Sequence, residues 1–242
     1  MEGIYRHQIT IMAPDTDCFG RLKPSALLSI LQEAAEAQCR ELSLDWQTLA
    51  KQQLFWALTR QSVAITRLPM AGETITVETW PGVTTRVAYP RSAAAYDAEG
   101  NELFRSLGLW VLVNLETRVM VLPGKSGINV EGFLRGDELP IPGSIPPAVL
   151  ELEAERPVRY SELDRNGHVN NARYLDWLED LLPAAFHREH PMECFTVSYL
   201  NEIREGETVS LRYRLEEGEL RLEGSRNDGT QRAFAIRAKY AR

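Results

Sequence analysis

Positions 164–179 read Asp-Arg-Asn-Gly-His-Val-Asn-Asn-Ala-Arg-Tyr-Leu-Asp-Trp-Leu-Glu. Asp164, Asn166 and His168 alternate, so an extended backbone would aim all three the same way. Apolar residues then recur at helical spacing: Tyr174, Trp177, Leu178 and Leu181 fall at i, i+3, i+4 and i+7. A helix starting beside the triplet would offer free backbone N–H groups to a developing oxyanion. A carboxylate, an amide and an imidazole at such an end suit acyl transfer. Each residue alone has a plainer use: Asp or Asn before a helix is commonly a cap, and the apolar face commonly packs on a sheet. The cluster is more specific than its members.

The elements that must position this group lie in two similar halves. In the first half, Ile4–Met12 alternates as a strand, and Asp15–Gly20 is a turn. Ser25–Leu42 carries Leu27, Leu28, Ile30, Leu31, Ala34 and Ala35 at helical spacing. A short helical piece over Trp46–Gln53 and strands over Leu54–Leu68, Glu73–Trp80, Thr84–Asp97 and Leu103–Leu115 follow. Pro140, Pro142, Gly143, Pro146 and Pro147 then break any regular element. The order returns beyond them: a strand over Leu152–Tyr160, a turn over Ser161–Gly167, a helix over Val169–Leu182, and four strands from about Cys194 to Tyr240. The expected division is a domain over 1–136, a Pro-rich linker over 137–150 and a domain over 151–242.

The halves also repeat in residues. Asp17-Cys-Phe-Gly20 matches Asp164-Arg-Asn-Gly167 at an offset of 147, and Gly72-Glu-Thr matches Gly206-Glu-Thr at an offset of 134. The difference places an insertion near Trp46–Gln53. The repeat sets Arg21 opposite His168 and Phe19 opposite Asn166. Only Asp17 is retained, as a structural turn residue, so one half is equipped for chemistry and the other is free to hold a substrate tail. One strand, one helix and four strands lack the crossovers of a doubly wound sheet. The expected class is α+β, a curved antiparallel sheet around one long helix, twice over.

Composition removes other classes. With 44% hydrophobic and 25% charged residues the chain is globular rather than disordered. A net charge of −7, spread over both halves, argues against nucleic-acid binding. Cys18, Cys39 and Cys194 form neither a disulfide framework nor a metal motif, so no metal is expected and a reducing compartment fits. No secretory h-region or membrane-length apolar run is visible. The expectation is a cytoplasmic protein with no membrane partner.

The stretch Asp-x-Asn-x-His-Val-Asn-Asn-x-x-Tyr, followed by Tyr199-Leu-Asn-Glu202, resembles the acyl-acyl-carrier-protein thioesterases. The resemblance covers nearly the whole chain. It implies two tandem hotdog domains that release fatty acid from acyl carrier protein in fatty acid biosynthesis, as a monomer or homodimer. No cofactor is implied, since the substrate carries its own phosphopantetheine. The catalytic set implied is Asp164, Asn166, His168 and Glu202. Leu27, Leu31 and Trp56 would line an acyl tunnel in the first half, with Asn170 also among the substrate-binding residues. Plant members carry a Cys after the Glu, where this chain has Ile203. An acyl-cysteine route is therefore closed, and water is the final nucleophile, with or without an acyl-Asp anhydride first. Glu202 would be the base, Asp164 would lie near the thioester carbon, Asn166 would orient, and His168 would assist the thiolate. Arg156, Arg159, Arg165 and Arg173 would form a basic patch for the acidic carrier protein, with Arg159 and Arg165 as its core. Hydrolysis of acyl-CoA and non-catalytic sensing of acyl thioesters are the competing readings.

Overall fold

The computed structural model describes residues 3–226 and 229–242. The chain divides into two compact units, between Pro142 and Gly143. In the first, β1 (Tyr5–Thr10) leads through a 3-10 turn into α1 (Pro24–Glu41) and α2 (Trp46–Ala50). Then come β2 (Leu54–Ile65), β3 (Thr74–Pro81), β4 (Tyr89–Tyr96), β5 (Glu102–Asn114), the short β6 (Met120–Val121) and the single turn α3 (Pro123–Ser126). The antiparallel sheet runs β1-β3-β4-β5-β2, with β6 beside β5.

Pro24 opens α1 at a position where its missing N–H costs nothing. Leu27, Leu28, Ile30, Leu31, Ala34 and Ala35 are all buried, and α1 packs on β3 and β1. Each large apolar side chain so buried contributes about 1.5–3 kcal/mol, so packing rather than helix propensity holds α1 in place. The strand expected from Thr84 begins only at Tyr89. The Thr85 hydroxyl accepts the N–H groups of Val87 and Ala88 and bends the chain into a turn.

The second unit repeats the plan. β7 (Leu152–Pro157) is followed by a 3-10 turn, α4 (Arg173–Glu179), α5 (Ala184–Glu189), β8 (Met192–Tyr199), β9 (Thr208–Glu216), β10 (Glu219–Arg226) and β11 (Gln231–Tyr240). Its sheet runs β7-β9-β10-β11-β8, the same order element for element. The class is α+β with hotdog architecture, but the second helix differs from the expected Val169–Leu182. Val169 and Asn170 donate to Ile203 and Glu162 rather than into a helix, and the Asn170 side chain takes the Ala172 N–H. At the far end, Leu181 and Leu182 donate three residues back, and Pro183 has no N–H with which to continue.

The stretch between α3 and β7 has no regular elements, yet both its ends are tied down. The Phe133 N–H donates to Pro81, and Arg135 stacks over Trp80 at 4.5 Å. In the second unit, Arg232 holds the Ile145 carbonyl at 2.9 Å and Glu223 accepts the Ala148 N–H. Among the described residues no helix is long and apolar enough to cross a membrane.

Candidate active site

The motif 164–168 is a tight turn, not the extended run that its alternation suggested. Asp164 N donates to His168 O at 2.8 Å and Gly167 N to Asp164 O at 3.0 Å. Gly167 takes φ +75°, a conformation costly for any residue with a Cβ. The Asp164 carboxylate turns inward: Oδ1 accepts from Asn166 N at 2.7 Å and from His168 N at 3.4 Å. Its Oδ2 faces Asn166 Nδ2 at 3.4 Å. Asp164 is thus first a builder of the turn, and Asn166 is exposed at its tip.

His168 and Glu202 meet. His168 bridges Arg204 on the neighbouring chain segment, which sets its Nε2 3.0 Å from Glu202 Oε2, with the imidazole 14% and the carboxylate 43% exposed. A buried-side imidazole against a solvent-side carboxylate can pass a proton between substrate and water. Arg204 reaches the same carboxylate at 3.4 Å, and Arg226 holds the Glu202 carbonyl. The four residues named from the motif therefore form two pairs in the second unit, His168 with Glu202 and Asp164 with Asn166.

Behind the turn stands a carboxylate that sequence reasoning missed. Glu162 is buried and accepts from Arg156 Nη2 at 2.8 Å, Trp177 Nε1 at 2.8 Å and Arg159 N at 2.8 Å. Burial pushes its carboxyl up, but the Arg159 N–H, the Arg156 guanidinium and the Trp177 indole outweigh burial and hold it below the usual carboxylate range. It ties β7, the turn and α4 together. The available signal was its place in the turn two residues before Asp164.

An aromatic wall lies beneath. Tyr174 stacks on Phe234 at 4.3 Å, Trp177 meets Tyr174 edge-on at 5.2 Å, and Tyr199 is 5.9 Å away. Gly224 makes room for it, because a Cβ there would fall 2.0 Å from the Phe234 ring.

The expected substrate-binding residues are spread out. Leu27 and Leu31 lie buried on α1. Trp56 donates to Leu44 O and meets Tyr89 edge-on, packed against a cluster of Leu49, Leu54, Tyr89 and Leu112. Asn170 shapes the helix start through its side chain. Arg159 and Arg165 are exposed. Arg156 and Arg173 depart from the expected patch: Arg156 is bound to Glu162 and Asp180, and Arg173 to Asp176. Both find carboxylates within their own fold, so they are poor hands for a partner. Cys194 lies on β8 paired with Lys239, and burial raises its thiol pKa. Among the described residues no group of three or more His, Cys, Asp or Glu side chains is placed to hold a metal ion.

The chain matches two family models, the acyl-ACP thioesterase N-terminal domain over residues 2–122 and the C-terminal domain over residues 150–240. It is 27% identical over 192 residues to the chloroplastic palmitoyl-acyl carrier protein thioesterase of Gossypium hirsutum, covering 73% of this chain and 46% of that protein. The chain spans about half the length of the curated relatives it matches. An acyl-ACP thioesterase from Bacteroides thetaiotaomicron has the same fold, with a TM-score of 0.84 at 24% identity, over 98% of each chain. The 12:0-ACP thioesterase from Umbellularia californica has it too, with a TM-score of 0.82 at 22% identity, over 98% of this chain and 97% of that one.

Proposed function

The chain belongs to the acyl-ACP thioesterase family, and on that premise we propose that it hydrolyses the thioester of fatty acyl-acyl carrier protein, releasing fatty acid and the free carrier thiol. The observation that carries this reading is the His168–Glu202 pair at 3.0 Å, built onto a turn that the first unit repeats without it.

Glu202 takes a proton from water as the water oxygen bonds to the thioester carbon. The carbonyl electron pair moves onto oxygen, then returns as the C–S bond breaks. His168 hands its Nε2 proton to the departing sulfur and recovers one from Glu202, so the pair ends as it began. Asp164, spent on the N–H groups of Asn166 and His168, orients both residues, which favours direct attack by water over an acyl-Asp intermediate. With Ile203 where plant members carry Cys, and Cys194 burial-raised, no thiol serves as nucleophile. The carrier protein is the partner and supplies the phosphopantetheine. Leu27, Leu31 and Trp56 are the acyl-chain candidates, with Asn170 as a further substrate contact. Three free thiols suit a reducing cytoplasm and a place in fatty acid biosynthesis.

Hydrolysis of a panel of acyl-carrier-protein and acyl-CoA thioesters tests this reading. Wild type should turn over the carrier-protein substrates, and His168→Ala and Glu202→Ala should each lose ~10²-fold or more in kcat. Alkylating the thiols should leave the rate unchanged. A preference for CoA esters would replace the carrier protein as partner, and loss of activity on alkylation of the still-folded protein would overturn the cysteine-free route.

A further inference from the structure

Glu202 sits on a loop whose neighbouring residues are pinned. On one side Leu200 N and Asn201 N donate to Ala233 O at 2.8 and 2.9 Å, and Asn201 Nδ2 donates to Arg232 O at 2.8 Å. On the other, Ile203 O accepts from Val169 N at 2.8 Å, and Glu207 Oε2 accepts from Arg204 N at 2.7 Å. Arg226, the last residue of β10, grips the peptide of Glu202 itself: its Nη1 donates to the Glu202 carbonyl. Its Nε, buried and without a hydrogen bond, lies 3.4 Å from Glu207 Oε1 as an ion pair. One planar guanidinium, with its donors in a fixed fork, thus ties the residue that carries the base to the carboxylate that closes its loop.

The first unit closes the equivalent loop from elsewhere. Glu73, the match of Glu207 at the 134-residue offset, is held at both oxygens by Arg67, at 2.8 and 2.7 Å. At the same offset the second unit has Asn201 in place of Arg67. Thr76 pairs with Tyr96 across β3 and β4, and its match Ser210 pairs with Ser225 across β9 and β10. The next residue is Asp97 in the first unit and Arg226 in the second, and Asp97 lies 3.8 Å from Arg67. The loop-closing arginine therefore comes from the strand end in the second unit, where the first has an aspartate, and from there it reaches the Glu202 backbone.

We infer that Arg226 is a positioning residue for the hydrolysis: through the Glu202 carbonyl and Glu207 it aims the Glu202 carboxylate at His168 and at the attacking water. This rests on the hydrolase reading above, in which Glu202 is the base. Arg226 moves no proton, so the balance of the reaction is unchanged. The Glu202 side chain is 43% exposed, so packing restrains it little, and its 3.0 Å approach to His168 depends on how the peptide beneath it is held.

Arg226→Met removes the fork and keeps most of the side chain's length. With an acyl-carrier-protein substrate, kcat should fall about tenfold while KM stays within about twofold, because a misaimed base costs rate rather than binding. Arg226→Lys keeps one cationic donor and should bring kcat back to within about threefold of wild type. In a Glu202→Gln background, Arg226→Met should cost less than about twofold more, because residues that act as a unit are not additive. A merely structural role would instead multiply the two losses. Arg67→Met, which opens the first unit's clasp, should lower the unfolding midpoint and leave kcat unchanged. Should Arg226→Met fail to fold, Arg226→Lys carries the same double-variant test. An Arg226→Met kcat within about twofold of wild type overturns the inference, and so do losses that multiply in the double variant. Wild type active, Glu202→Gln inactive and Arg226→Met active would remove Arg226 alone. Wild type inactive on every acyl thioester would remove the hydrolase reading and this inference with it.

Discussion

The turns at 17–22 and 164–169 share a backbone and differ in what it presents. Asp17 N donates to Arg21 O as Asp164 N does to His168 O, and Gly20 and Gly167 take φ +78° and +75°. Leu22 N donates to Pro69 O as Val169 N does to Ile203 O. Asp17 Oδ1 accepts from Phe19 N and Arg21 N, just as Asp164 Oδ1 accepts from Asn166 N and His168 N. Even the supporting loops agree: Glu73 Oε2 accepts Met70 N, and Glu207 Oε2 accepts Arg204 N. The side chains then part. Arg21 folds back onto Asp17 Oδ2 at 2.8 Å, whereas His168 reaches across to Glu202, whose counterpart at the 134-residue offset is Leu68. The frame therefore belongs to folding, and what distinguishes the two turns is the side chains placed on it, Arg21 against His168 and Leu68 against Glu202.

The largest effect should come from erasing that separation. His168→Arg rebuilds the first unit's arrangement in the second, because the new guanidinium can turn onto Asp164. The turn keeps its hydrogen bonds, so the unfolding midpoint should hold while kcat falls ~10²-fold or more. Arg21→His, the reverse exchange, should leave kcat unchanged. A His168→Arg enzyme with near-normal kcat would show that the imidazole is not the proton carrier.

A second contrast lies just before the turns. Glu162 is a buried hub, and the residue at its repeat position, Asp15, is exposed. Glu162→Gln should cost ~3 kcal/mol, the scale for breaking a buried ion pair, and Asp15→Asn almost nothing, as read by chemical denaturation. The pH signature has a definite sign. Folded Glu162 titrates below its unfolded value, so its contribution is fully present above the ordinary Glu pKa of about 4.3 and is lost as pH falls through the lower folded value. Stability of Glu162→Gln should lack that acid-side decline.

These contrasts show what was readable in residues alone. The succession of elements, α1 and the duplication were legible because they rest on periodicity and on matched turns, which are local properties. The Asp164 and Asn166 roles were not. Alternation suggested one shared direction, but Gly167 closes the chain into a turn and Asp164 binds its own backbone. Glu162 escaped notice because a carboxylate's burial depends on Arg156 and Trp177 arriving from elsewhere in the unit. Arg156 is likewise paired from afar, by Asp180 24 residues on, whereas Arg173 is paired locally, by Asp176 one turn along its own helix. Glu202 came only through the family resemblance, since no local pattern ties it to His168.

The glycines give a smaller, symmetric test. An Ala at a left-handed position costs about 1 kcal/mol, and nothing crowds a Cβ at Gly167, while at Gly20 only Met70 comes within 4 Å, at 3.5 Å. Gly20→Ala and Gly167→Ala should therefore lose similar stability. Only Gly167→Ala should also slow kcat, by several-fold, because it loosens the turn that aims His168. Equal kcat in the two variants would mean that His168 is aimed by its bridge to Arg204 instead.

The smallest effect concerns the rims. Arg159, Arg165 and Arg204 surround the second turn, and the repeat places Met12, Cys18 and Met70 at the same positions around the first. All six are exposed. At these three positions the second turn carries arginines and the first carries none, which is the pattern expected if an acidic partner approaches the second turn only. This protein is itself acidic, at −7 overall, so an acidic carrier needs a local basic rim to dock. Arg159→Glu with Arg165→Glu should raise KM for acyl-carrier-protein substrate several-fold and leave hydrolysis of a short pantetheine thioester intact. Met12→Glu with Cys18→Glu adds two negative charges without removing any positive ones, at the turn that carries no chemistry, and should leave both substrates unaffected. The wild-type KM for the carrier-protein substrate should also rise with salt, since exposed charges are screened beyond a Debye length of roughly 10 Å at 0.1 M. Equal losses on both substrates would assign the arginines to the reaction centre, and a KM rise in the Met12/Cys18 variant in proportion to its −2 charge change, against −4 in the arginine variant, would mean that net charge, rather than the rim, repels the carrier.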